Sequence, residues 1–254
     1  MTRPTALIGY TGFVGGNLAA QRPFDELYNS SNIDSIAGRQ FGTVVVSAAR
    51  AEKWKANLDP EADRAHIDEL EGHLRSFSCE RLVLISTVDV YATPIGVDET
   101  TPIELEGLHA YGRNRYLLEQ AAAALHPTTV LRLPGLFGPG LKKNVIFDLL
   151  NDNNVEKIHA LGSFQYYDLA HVADDVDRAV AAGRALTNIV SEPIVTRDLA
   201  REVFGLDFDN APEGVDPASY DVRTVYPGDG TAHYSYARQT VLSELEAFVA
   251  GARS

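Results

Sequence analysis

Gly9, Gly12 and Gly15 stand three apart in the run Thr5-Ala-Leu-Ile-Gly9-Tyr10-Thr11-Gly12-Phe13-Val14-Gly15-Gly16-Asn17-Leu18. A short apolar segment precedes them and a helix-like pattern follows. In that order a buried strand ends, the backbone turns tightly, and a helix begins with unpaired N–H groups that can hold a pyrophosphate. Gly9 permits the turn, Gly12 lets backbone approach phosphate, and Gly15 lets helix lie close to strand. The spacing is G-x-x-G-x-x-G and not G-x-G-x-x-G. A plain strand–turn–helix corner would need no more, yet the place of the run in the chain favours a nucleotide site.

The elements that would position such a site alternate along the chain. Strands are expected at Ala6–Gly9, Glu26–Tyr28, Thr43–Ser47, Arg81–Ser86, Thr129–Leu133 and Asn188–Val190. Helical patterns fall near Gly15–Ala20, Asp59–Phe77, Tyr111–Leu125, Val145–Asn151 and Val172–Ala185. Alternation with β-rich runs such as Thr43-Val-Val-Val-Ser47 predicts a parallel sheet covered on both faces. Asp59-Pro60 reads as an N-cap followed by proline at the first helical position, and Thr196 as a cap for a helix running to Phe204. Beyond residue 140 the loops lengthen, and Asp207–Gly230 reads as an irregular lobe or lid. The pattern of Arg238–Ala250 is an amphipathic helix with apolar Val241, Leu242, Leu245, Phe248 and Val249.

Bulk composition narrows the function classes. The 254 residues are 45% hydrophobic and 22% charged, ordinary for a globular chain. A net charge of −13 argues against a nucleic-acid partner. No run approaches the ~20 apolar residues of a membrane span, and no basic-then-apolar leader precedes the Thr5 strand. Cys79 is the single cysteine, so no intramolecular disulfide forms and a reducing cytoplasm is the expected location. The histidines lack metal-ligand spacing, with His66 and His73 seven apart, and no metal is expected. Trp54, between Lys53 and Lys55, reads as a packing or lid residue.

Three further segments carry a family signal. The strand Leu82-Val-Leu-Ile85 runs into Ser86-Thr87-Val88-Asp89-Val90-Tyr91; a helix opens Tyr111-Gly112-Arg113-Asn114-Arg115; and Leu131-Arg132-Leu133-Pro134-Gly135-Leu136-Phe137-Gly138-Pro139-Gly140 follows. With the glycine turn, Val45-Val46-Ser47-Ala48-Ala49, Phe164-Gln-Tyr-Tyr167-Asp168 and Asn188-Ile-Val190, these resemble the extended short-chain dehydrogenase/reductase family of nucleotide-sugar epimerases, dehydratases and reductases. The resemblance covers roughly Thr5 to Gly205. It implies an α/β fold with a Rossmann-type doubly wound parallel sheet and a small C-terminal substrate lobe. The dinucleotide-binding domain would span residues 1–140 and the substrate lobe 141–254, with about 164–195 returning to the first.

The resemblance also implies roles. Tyr111 exchanges a proton with the reacting oxygen and Thr87 hydrogen-bonds it. A phenol with a pKa near ~10 needs a neighbouring cation at neutral pH, and Arg115 lies one helical turn away. The family pattern is Tyr-x-x-x-Lys, so Arg115 departs from it: arginine keeps the charge and can hold a ribose hydroxyl, but its planar fork is not a point ammonium. Asp89 falls where dehydratases carry a Glu base, and a solvated loop carboxylate is the other reading of it. Cofactor contacts are implied at Gly9, Tyr10, Thr11, Gly12, Phe13, Val14, Gly15, Asn29, Ser30, Ser31, Ala48, Ala49, Arg50, Ser86, Tyr111, Arg115, Leu133, Pro134 and Leu136. The second strand ends in Asn29-Ser30-Ser31-Asn32, without the acid that NAD sites place there. NADP is therefore preferred over NAD, with Arg39 a candidate for its 2′-phosphate. Lys142, Lys143 and Asn144 are the expected substrate contacts.

Only about 34 residues separate Gly9 from the strand at Thr43, a trimmed layout that resembles the dTDP-4-dehydrorhamnose reductase and GDP-fucose synthase branch. Reduction of a keto group on a nucleotide-activated sugar is accordingly the leading expectation. An epimerase or dehydratase using Asp89, and a non-catalytic NAD(P)-binding redox sensor, are the alternatives. A homodimer through the Tyr111 helix and its neighbour is expected from the family.

Overall fold

A computed structural model describes residues 3–228 and 230–253. In chain order the elements are β1 (Ala6–Ile8), α1 (Phe13–Gln21), β2 (Glu26–Tyr28), β3 (Gln40–Val46), α2 (Lys53–Leu58), α3 (Pro60–Ser76) and β4 (Ser78–Thr87). There follow β5 (Ile95–Val97), α4 (Ala110–Leu125), β6 (Thr128–Leu133), β7 (Gly135–Phe137), α5 (Val145–Asn151), β8 (Ser163–Phe164) and β9 (Tyr166–Asp168). The chain ends with α6 (Val172–Ala181), β10 (Leu186–Asn188), β11 (Ile194–Val195), α7 (Thr196–Phe204), β12 (Asp221–Val222) and α8 (Arg238–Arg253). No helix among the described residues is long and apolar enough to cross a membrane.

Two compact units share these elements. The first takes residues 1–92, 102–132 and 170–187; the second takes 93–101, 133–169 and 188–254. The chain passes to the second unit after Arg132, and there β7 pairs with β9.

Six strands in the order β10-β6-β4-β3-β1-β2 form that sheet. β1 pairs in parallel with both β2 and β3, and β3 with β4. The chain thus lays β2 on one side of β1 and crosses back to lay β3 on the other. The crevice at the C-terminal ends of β1 and β3 is the switch point where open α/β sheets bind ligands. Val44, Val45 and Val46, and Leu82, Val83 and Leu84, are buried on both faces of the sheet, which is why these strands read as continuous apolar runs. Ile67, Leu70 and Leu74 of α3 and Leu118 and Ala122 of α4 complete this core. Asp59 caps α3 by accepting the Ala62 N–H at 3.0 Å, with Pro60 in the first turn.

In the second unit, α8 buries Val241, Leu242, Leu245 and Val249 against Ile146 and Leu149 of α5 and Leu199 and Phe204 of α7. Each such side chain contributes about 1.5–3 kcal/mol when fully buried. Thr196 does not cap α7 as expected: it is the first helical residue, and its hydroxyl donates to the Gly162 carbonyl at 2.8 Å, pinning α7 to the loop before β8.

Candidate active site

The glycine turn closes on β1, β2 and β3 in the first unit. Gly9 has φ +93°, and a Cβ there would lie 2.8 Å from the Ser47 carbonyl carbon and oxygen. A Cβ on Gly15 would sit 2.2 Å from the Gly9 oxygen and 2.6 Å from Ser47 Oγ. Only glycine lets α1 start this close to the two strand ends. The Gly9 N–H donates to the Tyr28 carbonyl at 2.7 Å, which ties the turn to the tip of β2. Gly12 is the N-cap of α1 and no side chain caps the turn, while Tyr10, Thr11, Phe13 and Val14 are all at least partly accessible. A bare helix N-terminus over a glycine-lined strand crossing fits the pyrophosphate of a dinucleotide.

The tip of β2 carries no carboxylate. Asn29 Oδ1 accepts from the backbone N–H and hydroxyl of Ser31, and its Nδ2 donates to Tyr10 Oη at 3.1 Å. Ser30 is exposed beside them. Arg39 does not join this cluster. It pairs with Glu26 at the start of β2, the opposite end of the strand, because it directly precedes β3 in a parallel sheet.

Thr87 ends β4 and Tyr111 opens α4, and the Thr87 hydroxyl is among the groups that lower the Tyr111 pKa. Three contacts set Tyr111 in place. Its N–H donates to Asn57 Oδ1 of α2 at 3.0 Å, and His109 Nδ1 caps α4 by accepting the Gly112 N–H at 3.0 Å. Gly112 lies against the backbone of Asp89, where a Cβ would fall 2.1 Å from the carbonyl oxygen. Burial pushes the Tyr111 phenol above its ordinary pKa; Arg115, Thr87 and Lys53 pull it down, and Asp89 opposes them. At neutral pH the group holds its proton and is set to donate it.

Arg115 is engaged otherwise than expected. Its Nη1 and Nη2 form a fork on Asp63 of α3 at 2.9 and 3.0 Å, and Nη2 also donates to the Arg50 carbonyl at 2.5 Å. The pair is almost wholly buried, at 3% and 4% side-chain exposure. Burial opposes ionisation of Asp63, but hydrogen bonds from Arg115 and Asn114 and the Arg115 charge hold its carboxyl below the usual range. Both terminal nitrogens are engaged within the protein while Nε has no partner among the described residues, and the guanidinium carbon lies 4.4 Å from the centroid of the Tyr111 ring. Asp89 Oδ1 accepts from Lys53 Nζ at 2.8 Å.

Ser86 faces inward, its hydroxyl donating to Glu119 Oε1 at 2.5 Å. Glu119 receives Nε and Nη2 of Arg132 at 3.0 and 2.6 Å, and Arg132 Nη1 donates to Tyr91 Oη at 2.8 Å. This buried network fixes the end of β4 from behind, so Ser86 positions Thr87 with its hydroxyl committed to the interior. Ala48 and Ala49 pack against the core beyond β3, and Arg50 is exposed.

The remaining candidates belong to the second unit. Leu133 is buried, Pro134 and Leu136 are partly buried, and β7 pairs with β9 at Leu136–Tyr167. Lys142 and Lys143 are exposed. Asn144 serves structure: at φ +128° it caps α5 by accepting the Phe147 N–H at 3.1 Å, while its Nδ2 donates to the Leu136 carbonyl at 2.8 Å. Each end of its amide thus makes one bond within the protein.

A model of the NAD dependent epimerase/dehydratase family matches residues 24–195. That span is two thirds of the chain and holds Thr87, Tyr111 and Arg115. The chain belongs to that family. Membership makes it an NAD(P)-dependent enzyme. No curated protein sequence matches the chain significantly. Among solved structures it is similar to a dTDP-4-dehydrorhamnose reductase of Bacillus anthracis crystallised with NADP (15% identity, 99% of both chains covered, TM-score 0.67). It is also similar to TunA, an NAD-dependent NDP-hexosamine 5,6-dehydratase of tunicamycin biosynthesis (13%, 98% and 97% covered, TM-score 0.73). A UDP-glucose 4-epimerase of Thermotoga maritima matches as well (15%, 98% of both, TM-score 0.65). At these identities the likeness establishes the fold.

Four residues of this family member's site escaped the sequence reading: Lys53, Asn57, Asp63 and Glu119. Two of them left a trace. Asp63 sits four before Ile67 and seven before Leu70, on the buried stripe of α3, and Glu119 lies between Leu118 and Ala122. A carboxylate on an apolar face demands a buried cation. Lys53 and Asn57 lie on α2, a six-residue helix with no periodic signal. Trp54 beside them is 63% exposed and is not a packing residue.

Proposed function

We infer that the enzyme reduces a keto group on a nucleotide-activated sugar, with NADPH preferred over NADH. The observation that carries this reading is Thr87 at the end of β4 together with Tyr111 at the start of α4, in the sheet whose β1 ends in the glycine turn, with a phenol that burial keeps protonated. When bound, the reduced nicotinamide supplies the hydride. Tyr111 then gives its proton to the carbonyl oxygen, and Thr87 orients that oxygen by a hydrogen bond. The turn Gly9–Gly15 holds the pyrophosphate, and Asn29, Ser30 and Ser31, free of acid, accept a 2′-phosphate without charge repulsion. Lys142 and Lys143 are assigned to the substrate diphosphate. The Lys53 ion pair on Asp89 weighs against Asp89 as the base of an epimerase or dehydratase, since a base must have its oxygen free for a substrate proton.

The family resemblance supports a homodimer through α4 and its neighbour, and the lone buried thiol of Cys79 suits a cytoplasmic enzyme. The test is oxidation of NADPH, followed by absorbance, with a panel of 4-keto nucleotide sugars. Consumption of one NADPH per sugar, reduced about 10²–10⁴-fold by Tyr111→Phe, supports the reading. Solvent isotope entering a sugar carbon without net NADPH loss would replace it with the epimerase or dehydratase alternative. Tight cofactor binding with no turnover of any sugar would leave a redox sensor.

A further inference from the structure

The turn that carries Tyr111 is held by an uncommon cap. The first N–H groups of a helix have no partner within it and must find one outside. At the start of α4, Asn57 Oδ1 accepts the Tyr111 N–H and His109 Nδ1 accepts the Gly112 N–H, each at 3.0 Å. Serine, threonine, aspartate and asparagine are the usual caps, and their oxygens accept in every state met near neutral pH. An imidazole nitrogen accepts only while it carries no proton. The cap of α4 therefore exists in one form of His109, neutral with its proton on Nε2. An imidazolium would lose the bond to Gly112 and would set a positive charge at the positive end of the helix. Gly112 makes this cap matter. A Cβ there would meet the Asp89 carbonyl oxygen at 2.1 Å, so glycine is required, and glycine holds a helical turn poorly. The two side-chain acceptors and the close approach of the Asp89 backbone fix the turn instead. Tyr111 lies in it, its ring centroid 6.3 Å from that of His109.

We propose that His109 is a pH-sensitive positioning residue for Tyr111: as neutral imidazole it caps α4 and holds the phenol in place, and its protonation releases the cap and slows turnover. The inference rests on Tyr111 as the proton donor of the reductase reading above. Lys53 of α2 disfavours the imidazolium, and Asp89 of the loop after β4 favours it. From α3, Asp63 is committed to Arg115 and Asn114, and His66 Nε2 lies 3.4 Å from the Ala48 carbonyl. On α4 itself, Arg113 donates to the Leu105 carbonyl at 2.9 Å. Burial first, and Lys53 after it, hold the ring below its ordinary value of 6.5. The cap is thus complete at neutral pH and is lost as pH falls through the lowered value.

The full chain is labelled with 3-fluorotyrosine and followed by fluorine NMR without substrate, the Tyr111 resonance being the one missing from Tyr111→Phe. Between about pH 8 and pH 5 this resonance should move in the parent, with a midpoint below 6.5. His109→Asn keeps an oxygen acceptor that does not titrate, and its Tyr111 resonance should stay near that of the neutral parent throughout. His109→Ala has no acceptor, and its resonance should lie away from that position even at neutral pH. NADPH oxidation reads the same contrast. The acid loss of kcat should vanish in His109→Asn, while His109→Ala should lose about fivefold in kcat at neutral pH with KM little changed. A His109→Ala resonance matching the parent at neutral pH, or an acid shift that survives in His109→Asn, overturns the proposal even in an active reductase. The second result would assign the response to His66 or Asp89. The expected resonances in a protein that reduces no keto sugar would keep the cap assignment and discard the reductase reading.

Discussion

Restoring lysine at position 115 should damage this enzyme. In the family pattern Arg115→Lys looks like a repair, since it recreates Tyr-x-x-x-Lys. The structure gives the opposite expectation. Arg115 makes three hydrogen bonds, two to the Asp63 carboxylate and one to the Arg50 carbonyl, in a site where both charges are buried. An ammonium at the end of a lysine chain can satisfy one of these and cannot reproduce the planar fork. Losing two hydrogen bonds to charged or carbonyl acceptors, in a place water does not reach, costs about 2–4 kcal/mol. For a chain of this size that lowers the melting temperature by roughly 5–15 °C.

Thermal and urea unfolding followed by circular dichroism measure the cost, and NADPH oxidation at 25 °C measures turnover of the folded fraction. Arg115→Lys should be the less stable protein and no faster. Arg115→Met, which leaves Asp63 charged with the Asn114 amide but no cation beside it, should lose about 3–5 kcal/mol. A double-mutant cycle with Asp63→Asn then isolates the pair, because the penalty for Arg115→Met should shrink once the carboxylate is gone. An Arg115→Lys protein within 0.5 kcal/mol of the parent and severalfold faster would refute this reasoning. Position 115 would then be a weakened catalytic cation, and the Asp63 fork incidental.

Gly15→Ala forces a Cβ to within 2.2 Å of the Gly9 oxygen; it should cost about 1–3 kcal/mol in stability and weaken NADPH at least tenfold, read by fluorescence titration. Asn29→Asp places a carboxylate at the tip of β2 and should move preference from NADPH toward NADH, measured as the ratio of kcat/KM values. Asp63 titrates below its ordinary value of 3.8 in the folded chain. Its contribution to stability is complete above that value and lost as pH falls through the depressed one. Denaturant midpoints should therefore fall as the pH drops below about 4, and less so in Asp63→Asn.

The large sheet was legible because its strands are short apolar runs bounded by turn signals. Glu26–Tyr28 forms as expected, and Asp59-Pro60 opens α3 by the anticipated cap. The end of β10 was placed two residues late: Leu186–Asn188 forms the strand, and its last residue, Asn188, donates its side-chain amide to the Arg223 carbonyl. β5, β12, β7 and β9 could not be read. They are two or three residues long and exist only because distant segments pair, as Asp221 does with Ile95. Among the site residues, Thr87 and Tyr111 were visible as motif positions. The capping role of Asn144 was not read, because a cap and a ligand draw on the same amide and only its bonds to Phe147 and Leu136 reveal the cap.

Arg115 unites two tasks, anchoring α4 and placing a cation against the tyrosine. Its guanidinium binds both oxygens of Asp63, joins α3 to α4 directly behind Tyr111, and keeps its charge at any pH the enzyme meets. Its carbon lies 4.4 Å from the centroid of the Tyr111 ring, and its charge leads the influences that lower the phenol's pKa. Lys53 lowers it as well, but Asp89, paired with that lysine, raises it more. The Asn57 bond to the Tyr111 N–H ties α2 to the same helix end that Arg115 secures.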